Sequence, residues 1–151
     1  MTRVSGPASR VKALVAGQAS GPAFVLSEPL SFWGGVDPSD GRIIDQHHPQ
    51  AGETVRGKVL VMPSGRGSSS SSSVLAETIR AGTSPVAIVL AAPDRILALG
   101  AVVAAELYGH VMPVVAVPED AYRSIRDGAR VEILGANEEW EIIVEGTWGQ
   151  E

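Results

Sequence analysis

The sequence predicts an α/β fold with a central βαβαβ unit and flanks rich in β-strands. In the middle of the chain, short apolar runs alternate with helical segments, and this alternation is typical of a parallel sheet. Towards both ends, apolar runs are separated by Gly and Pro, which indicates strands and turns. The 151 residues are 44% hydrophobic and 19% charged, an ordinary globular composition. We therefore expect a single domain over residues 1–151, with its core at about 11–144.

The first part of the chain predicts short strands and an irregular loop. Residues 11–16 and 23–26 are apolar runs on either side of a segment with Gly and Pro, which predicts a β-hairpin. Residues 27–38 hold too much Gly and Pro for a regular element. Within them, Gly34-Gly35 follows two aromatic residues and indicates close approach of the backbone to another group. A brief strand is predicted at 42–45.

The centre predicts three strands and two helices in strict alternation. The strands are 58–62, 86–90 and 114–117, and the helices lie near 72–81 and 94–108. Asp94 suits the N-cap of the second helix, because a carboxylate accepts hydrogen bonds from first-turn N–H groups. Gly109 suits its end, because glycine adopts the left-handed conformation of a helix stop. This helix is rich in Ala and Gly, which predicts tight packing against a sheet.

The end of the chain predicts a short helix and a pair of strands. The helix lies near 119–126 and is closed by Gly128. Residues 130–134 and 140–144 are expected to form the terminal strand pair. The tail after residue 145 is expected to be loose, unless Trp148 docks on the domain or on a partner.

Charge and hydropathy exclude several classes of partner. The net charge is 12 − 17 = −5, without a basic block. Nucleic acids and acidic membranes attract clustered Lys and Arg, so neither is an expected partner. The N-terminal residues contain no apolar leader segment, and no apolar run is long enough to span a bilayer. The sequence therefore predicts a cytoplasmic protein.

Cysteine is absent and histidine is scarce, which limits metal chemistry in this chain. Without cysteine there are no disulfides, no thiol nucleophile and no thiolate metal site. His47 and His48 are adjacent in a polar loop. Neighbours on an extended chain point opposite ways, so the pair is a poor chelate. A hydrogen-bonded loop or the edge of an active site is the alternative. His110 follows a predicted helix end, where a cation complements the helix dipole.

The most informative segment is a turn that combines glycine, arginine and a run of serines. Gly65-Arg66-Gly67 is followed by six serines, residues 68–73, between a predicted strand and a predicted helix. Backbone N–H groups at a helix N-terminus bind oxyanions, and they and Arg66 would stabilise a serine alkoxide. The serine-hydrolase elbow and the phosphate-binding loop motifs are both absent. The alternative is that the serines only cap the helix.

Several motifs of this chain, taken together, resemble the small subunit of aconitase X. They are Phe32-Trp33-Gly34-Gly35-Val36-Asp37-Pro38, Asp45 with His48-Pro49, Gly57-Lys58-Val59-Leu60, and Gly65-Arg66-Gly67-Ser68. The resemblance covers nearly the whole chain, and its specificity lies in the combination of motifs. That family corresponds to the swivelling fourth domain of aconitase. The resemblance implies a swivelling β/β/α domain, which agrees with the elements predicted above.

The resemblance also implies roles for individual residues of the turn. Gly65-x-Gly67-Ser68-Ser69 is similar to the aconitase pattern Gly-x-Gly-Ser-Ser, in which the first serine is the catalytic base. Ser68 is therefore the expected base, and Ser69 and Gly67 are expected substrate contacts. The aconitase pattern continues with an arginine, where this chain has Ser70. Arg66 is the residue that could take over the binding of the substrate anion.

A partner and a cofactor are implied in the same way. Members of the family are hydro-lyases whose larger subunit carries the cysteines that bind iron or an iron–sulfur cluster. The chain is thus expected to bind no cofactor itself and to form a heterodimer or larger assembly with an aconitase X large subunit. The expected substrate is cis-3-hydroxy-L-proline, with mevalonate 5-phosphate as the alternative. A non-catalytic, anion-binding or regulatory module is the hypothesis from another class. The aromatic pair and Gly34-Gly35 would face the partner or the substrate, or would form a buried loop.

Overall fold

The computed structural model describes residues 2–7, 12–67, 69–136 and 139–145. Eight strands form one mixed sheet in the order β1-β10-β9-β3-β6-β7-β8-β2, and β4 and β5 form a separate two-stranded ribbon. The strands are β1 Thr2–Pro7, β2 Lys12–Val15, β3 Ala19–Val25, β4 Val36–Asp37, β5 Arg42–Ile43, β6 Val59–Met62, β7 Ala87–Leu90, β8 Val114–Ala116, β9 Arg130–Ala136 and β10 Glu139–Glu145. The helices are α1 Ser70–Ala81, α2 Arg95–Tyr108 and α3 Glu119–Ser124. The predicted α/β class and the central βαβαβ unit are confirmed.

The central parallel strands are buried on both faces, which explains their continuous apolar sequence. All four residues of β6 and all four of β7 are buried, as expected for parallel strands covered on both sides. Side chains alternate between two cores because successive residues of a strand point to opposite faces. Leu60 and Met62 lie in the core with α1 and α2, whereas Val59 and Val61 lie in the core with α3.

The second central helix begins and ends where its sequence predicts. The Asp94 carboxylate accepts hydrogen bonds from the N–H groups of Ile96 (2.9 Å) and Leu97 (3.1 Å). Gly109 ends the helix in the left-handed conformation, at φ 70°. The small residues of α2 allow close packing against α1 as well as the sheet. A Cβ on Gly100 would lie only 2.6 Å from the carbonyl oxygen of Ser72 in α1.

The predicted hairpin in the first part of the chain is wrong. β2 and β3 do not pair with each other: β2 pairs with β8, and β3 lies between β9 and β6. A hairpin prediction considers only neighbours in sequence, whereas here the two strands find distant partners in the same large sheet. Of the brief strand predicted at 42–45, only 42–43 is a strand, β5. It pairs with β4, which lies inside the region predicted to be irregular.

The C-terminal strand pair is confirmed, and it receives an additional strand. β9 and β10 are antiparallel neighbours, and β1 pairs with the outer side of β10. The apolar-poor sequence of β1 gives little local signal for a strand. α3 ends at Ser124, and its C-cap is Ile125 rather than Gly128. Trp148 lies outside the described residues. Among the residues that the structure describes, no helix is long and apolar enough to cross a membrane.

Candidate functional site

The segment Gly65-Arg66-Gly67 and the serines that follow it, here called the serine turn, lie at the edge of the sheet where the parallel strands end. β3 and β6 are parallel neighbours, so the loop after β3 and the turn after β6 emerge side by side. Leu30 of that loop forms a parallel bridge with Gly65 of the turn. The carbonyl of Pro63 also accepts hydrogen bonds from the N–H groups of Ala91 and Ala92, each 3.1 Å. The carboxyl edge of parallel strands is where open α/β sheets bind ligands.

Both glycines of the turn are required by close contacts. A Cβ on Gly65 would overlap the Oδ2 atom of Asp94 and lie 3.0 Å from Cδ1 of Leu97. Gly67 has φ +106°, a conformation that residues with a Cβ rarely adopt. A Cβ at that position would overlap the hydroxyl of Ser31 and lie 3.3 Å from the Ser71 hydroxyl. The turn is therefore wedged between the cap of α2 and the loop after β3.

A closed ring of hydrogen bonds joins the first turn of α1 to the loop after β3. The Trp33 N–H donates to the Ser71 hydroxyl (3.2 Å), and the Ser31 hydroxyl donates to the Trp33 carbonyl (2.9 Å). The two hydroxyl oxygens lie 3.2 Å apart. Each hydroxyl has one proton, and the proton of Ser31 is engaged by Trp33. The Ser71 proton therefore points to the Ser31 oxygen, which completes the ring.

The aromatic pair divides between the core and the surface. Phe32 is completely buried in the core with α1 and α2. Trp33 is 60% exposed, although the ring of hydrogen bonds fixes its backbone on both sides. Gly34 has φ +77° and open space where a Cβ would stand. The expectation of a buried loop thus applies to Phe32, which packs in the core. Trp33 is exposed beside the serine turn, where a partner or substrate could reach it.

The positive character of the turn comes from α1 and from Arg66. The first turn of α1 contains no acidic residue, so the helix's own sequence does not neutralise the positive end of its dipole. Arg66 lies 3.9 Å from Glu28, and both side chains are about half exposed. Such a surface pair contributes little, about 0–1 kcal/mol. The guanidinium can therefore turn towards another anion at low cost.

Three of the four predicted site residues lie in the part of the chain that the structure describes. Arg66, Gly67 and Ser69 lie together in the turn, and Ser69 is the exposed N-cap residue of α1. Ser68 lies outside the described residues, so its role as base stays a prediction. The alternative that the serines cap the helix is wrong for Ser71, which is buried against the loop after β3. Ser69 makes no side-chain capping hydrogen bond; its carbonyl accepts from the Ser72 hydroxyl (2.7 Å).

Ser31 and Ser71 are the site residues that the sequence analysis did not single out. Ser71 did carry a signal: it precedes Leu75 by four residues and Ile79 by eight, and both are buried. That spacing places all three on one face of a helix. Ser31 carries no such signal, because its partner lies 40 residues away in the chain.

His48 belongs to a hydrogen-bonded loop, the alternative to a metal site. It is buried, and its Nδ1 accepts a hydrogen bond from the Gln50 N–H (3.1 Å). Nε2 therefore carries the proton and donates to the carbonyl of Glu28 (3.2 Å). The Gln50 side-chain amide also donates to the Val25 carbonyl (3.1 Å). Together these bonds hold the start of the loop after β3. In the part of the chain that the structure describes, no group of three or more His, Asp or Glu side chains could hold a metal ion.

His110 lies at the opposite edge of the sheet, away from the serine turn. It follows the C-cap of α2 and lines an open groove of about 440 Å³. Arg56 and Ser84, which precede the parallel strands β6 and β7, line the same groove. None of the residues of the serine turn contributes to it. The groove is thus separate from the candidate site.

Comparison with known families gives a match over most of the chain. Residues 8–142 match the family model described as the aconitase X swivel domain. The matched region contains the serine turn, the loop after β3 and all three helices.

The relatives that match the chain include long dehydratases and separate small subunits of dehydratases. A cis-3-hydroxy-L-proline dehydratase from Pseudomonas aeruginosa is 51% identical over 72% of this chain, which corresponds to 19% of that protein. The chain thus spans about a fifth of the length of this relative. A phosphomevalonate dehydratase small subunit from Methanothermobacter thermautotrophicus is 42% identical over 78% of this chain and 86% of its own length.

A solved structure shares the fold. The crystal structure of aconitase X from Thermococcus kodakaraensis, in its holo-form, superimposes with a TM-score of 0.75 and 30% identity. The match covers 89% of this chain and 96% of that chain. The swivel-domain fold that the sequence motifs implied is therefore confirmed.

Proposed function

The chain belongs to the aconitase X swivel domain family, and we propose that it acts as the small subunit of a hydro-lyase, a dehydratase of small hydroxy acids. Ser68 is the proposed catalytic base. The observation that carries this proposal is the turn of residues 65–67, which close contacts hold between the cap of α2 and the loop after β3, directly before Ser68 in the sequence and just ahead of α1. The two relatives described above, one named as a dehydratase and one as a dehydratase small subunit, support the reaction class.

The chemistry assigned to this chain is the transfer of one proton. The base removes a proton from the carbon next to the substrate carboxylate, a carbon–carbon double bond forms, and hydroxide leaves from the neighbouring carbon. A serine hydroxyl is a weak base unless its oxyanion is stabilised. The N-terminus of α1, whose first turn contains no acidic residue, would supply such stabilisation, because its dipole favours negative charge. Arg66, Gly67 and Ser69 are the proposed contacts of the substrate carboxylate.

A large subunit is the proposed partner, in a heterodimer or larger assembly. The small-subunit name of the Methanothermobacter relative implies a second chain, and in the Pseudomonas relative the matching segment belongs to a protein about five times as long. The partner would hold iron or an iron–sulfur cluster, whose Lewis acidity helps hydroxide to leave. This chain contains no cysteine and would bind no cofactor by itself.

The proposed substrate is cis-3-hydroxy-L-proline, with mevalonate 5-phosphate as the alternative. The relative with 51% identity is named for the former, and the relative with 42% identity for the latter. Both substrates carry a carboxylate and a hydroxyl group, so the turn could serve either one. The groups that tell them apart would contact the larger chain.

The test of the proposed function is reconstitution with the cognate large subunit. We expect the purified pair to dehydrate one of the two substrates and each chain alone to be inactive, because base and Lewis acid reside on different chains. Product formation is measured for both substrates with the pair and with each chain. Turnover of neither substrate by the pair, together with tight binding of a carboxylate or phosphate by this chain alone in calorimetry, would favour the non-catalytic anion-binding module.

Trp33 is the proposed contact with the large subunit. Its backbone is fixed and its indole is 60% exposed beside the turn, so a partner that closes over the turn would cover it. We expect Trp33→Ala to weaken binding of the large subunit at least about 30-fold, because buried tryptophans are frequent hot spots of interfaces. The control is Leu107→Ala, which removes a side chain 68% exposed on α2. Calorimetric titration measures both variants, and equal affinities for the two would contradict this role.

A further inference from the structure

The Ser31 and Ser71 hydroxyls form a polar pair where the first turn of α1 meets the loop after β3. Ser71 is 2% exposed and lies on the same face of α1 as Leu75 and Ile79. A buried hydroxyl costs stability unless it is hydrogen-bonded. Both hydroxyls of the pair are satisfied by the ring that includes the Trp33 backbone. The ring therefore defines one relative position for α1 and the loop after β3.

The same two hydroxyls bound the space of Gly67. A Cβ on Gly67 would overlap the Ser31 hydroxyl and lie 3.0 Å from the Ser31 Cβ and 3.3 Å from the Ser71 hydroxyl. The Gly67 backbone thus rests directly on the pair. The next residue in the chain is the proposed base, and consecutive Cα atoms are about 3.8 Å apart. A shift of the pair would therefore be passed to the base through one peptide bond.

We propose that Ser31 and Ser71 are positioning residues: their hydroxyl ring holds the Gly67 backbone at the place that catalysis requires. This inference rests on the proposed function of the chain. A reacting group displaced by about 1 Å can lose about 100-fold in rate, whereas the substrate carboxylate keeps Arg66 and Ser69 as proposed contacts besides Gly67. The pair therefore acts mainly on kcat, with a smaller effect on KM through Gly67.

The first experiment measures kcat and KM of the reconstituted pair with four variants of this chain. Ser71→Ala and Ser31→Ala, assayed with saturating large subunit, are each expected to lower kcat about 10- to 100-fold and to change KM by a smaller factor. The double variant is expected to lose no more than either single variant, because each substitution opens the same ring. Ser73→Ala, an exposed serine of the same helix, is the control and should retain kcat. Full kcat in Ser71→Ala, or additive losses in the double variant, would overturn the inference.

The second experiment needs no activity and separates the two proposals. Amide hydrogen exchange, measured by NMR on the isolated chain, should become faster at Trp33 in Ser71→Ala and remain unchanged in Ser73→Ala. If Ser71→Ala showed faster exchange at Trp33 but full kcat, the ring would exist without a positioning role. The proposed function of the chain would be unaffected by that result. Unchanged exchange would overturn the ring itself. No turnover by the wild-type pair would overturn the proposed function and the positioning role together, while exchange would still report on the ring.

Discussion

Ser68→Ala is expected to lower the kcat of the reconstituted pair by about 100- to 10,000-fold, the usual contribution of a general base. Assembly with the large subunit should remain, because the substitution removes only one hydroxyl group. The loss should appear in kcat rather than in KM, since the proton is transferred in the transition state. Turnover is measured with the substrate that the wild-type pair dehydrates.

The serine run supplies its own control for this experiment. Ser73→Ala removes an exposed hydroxyl five residues further along the same run, within α1. It should leave both kcat and assembly unchanged. Full turnover by the Ser68→Ala pair would contradict the assignment of the base. Equal losses in both variants would indicate that the run acts through the helix as a whole.

Gly67→Ala is expected to lower kcat about 100-fold and also to destabilise the fold. The substitution adds two costs: a backbone at φ +106° that alanine rarely adopts, and an overlap with the Ser31 hydroxyl. Backbone strain of this kind costs about 1–3 kcal/mol. Rotation of the Ser31 hydroxyl would break its hydrogen bond to Trp33 and still leave the Ser31 Cβ 3.0 Å away. We therefore expect the turn to move, which would displace the proposed base and reduce the rate.

Substitution of a second glycine, Gly52, distinguishes the effect of backbone strain from the effect of displacing the proposed base. Gly52 has φ +94°, and no atom lies within 4 Å of the place where its Cβ would stand. Gly52→Ala should therefore lower the thermal unfolding midpoint through strain but leave kcat unchanged. Both variants are compared by calorimetry and by turnover of the reconstituted pair. Retention of full kcat in Gly67→Ala, or a similar loss of kcat in Gly52→Ala, would contradict the prediction.

The elements that depend on local signals could be predicted from the sequence. α2 begins after Asp94 and ends before Gly109, because a capping carboxylate and a left-handed glycine act within a few residues. The central strands of the sheet could be predicted for the same reason, since continuous apolar runs reveal strands buried on both faces.

Strand pairing could not be predicted in the same way. The predicted hairpin failed because β2 pairs with β8, about a hundred residues away in the chain, and β3 lies between β9 and β6. β1 has little local strand signal, because its strand structure depends on pairing with β10 rather than on its own residues. Which strands become neighbours is decided when the whole sheet forms.

In the candidate site, too, the features that depend on neighbours in sequence could be predicted, whereas those that depend on distant segments could not. The sequence alone pointed to Gly65, Arg66, Gly67 and the serines, because a glycine-rich turn before a helix has a local physical meaning. Only the tertiary structure revealed that Gly67 rests on Ser31 and Ser71. The sequence determined which turn is the candidate for binding an anion, since this follows from residue types and helix polarity. The fold decided what holds that turn in place, since close contacts between distant segments exist only after the sheet and α1 have packed together.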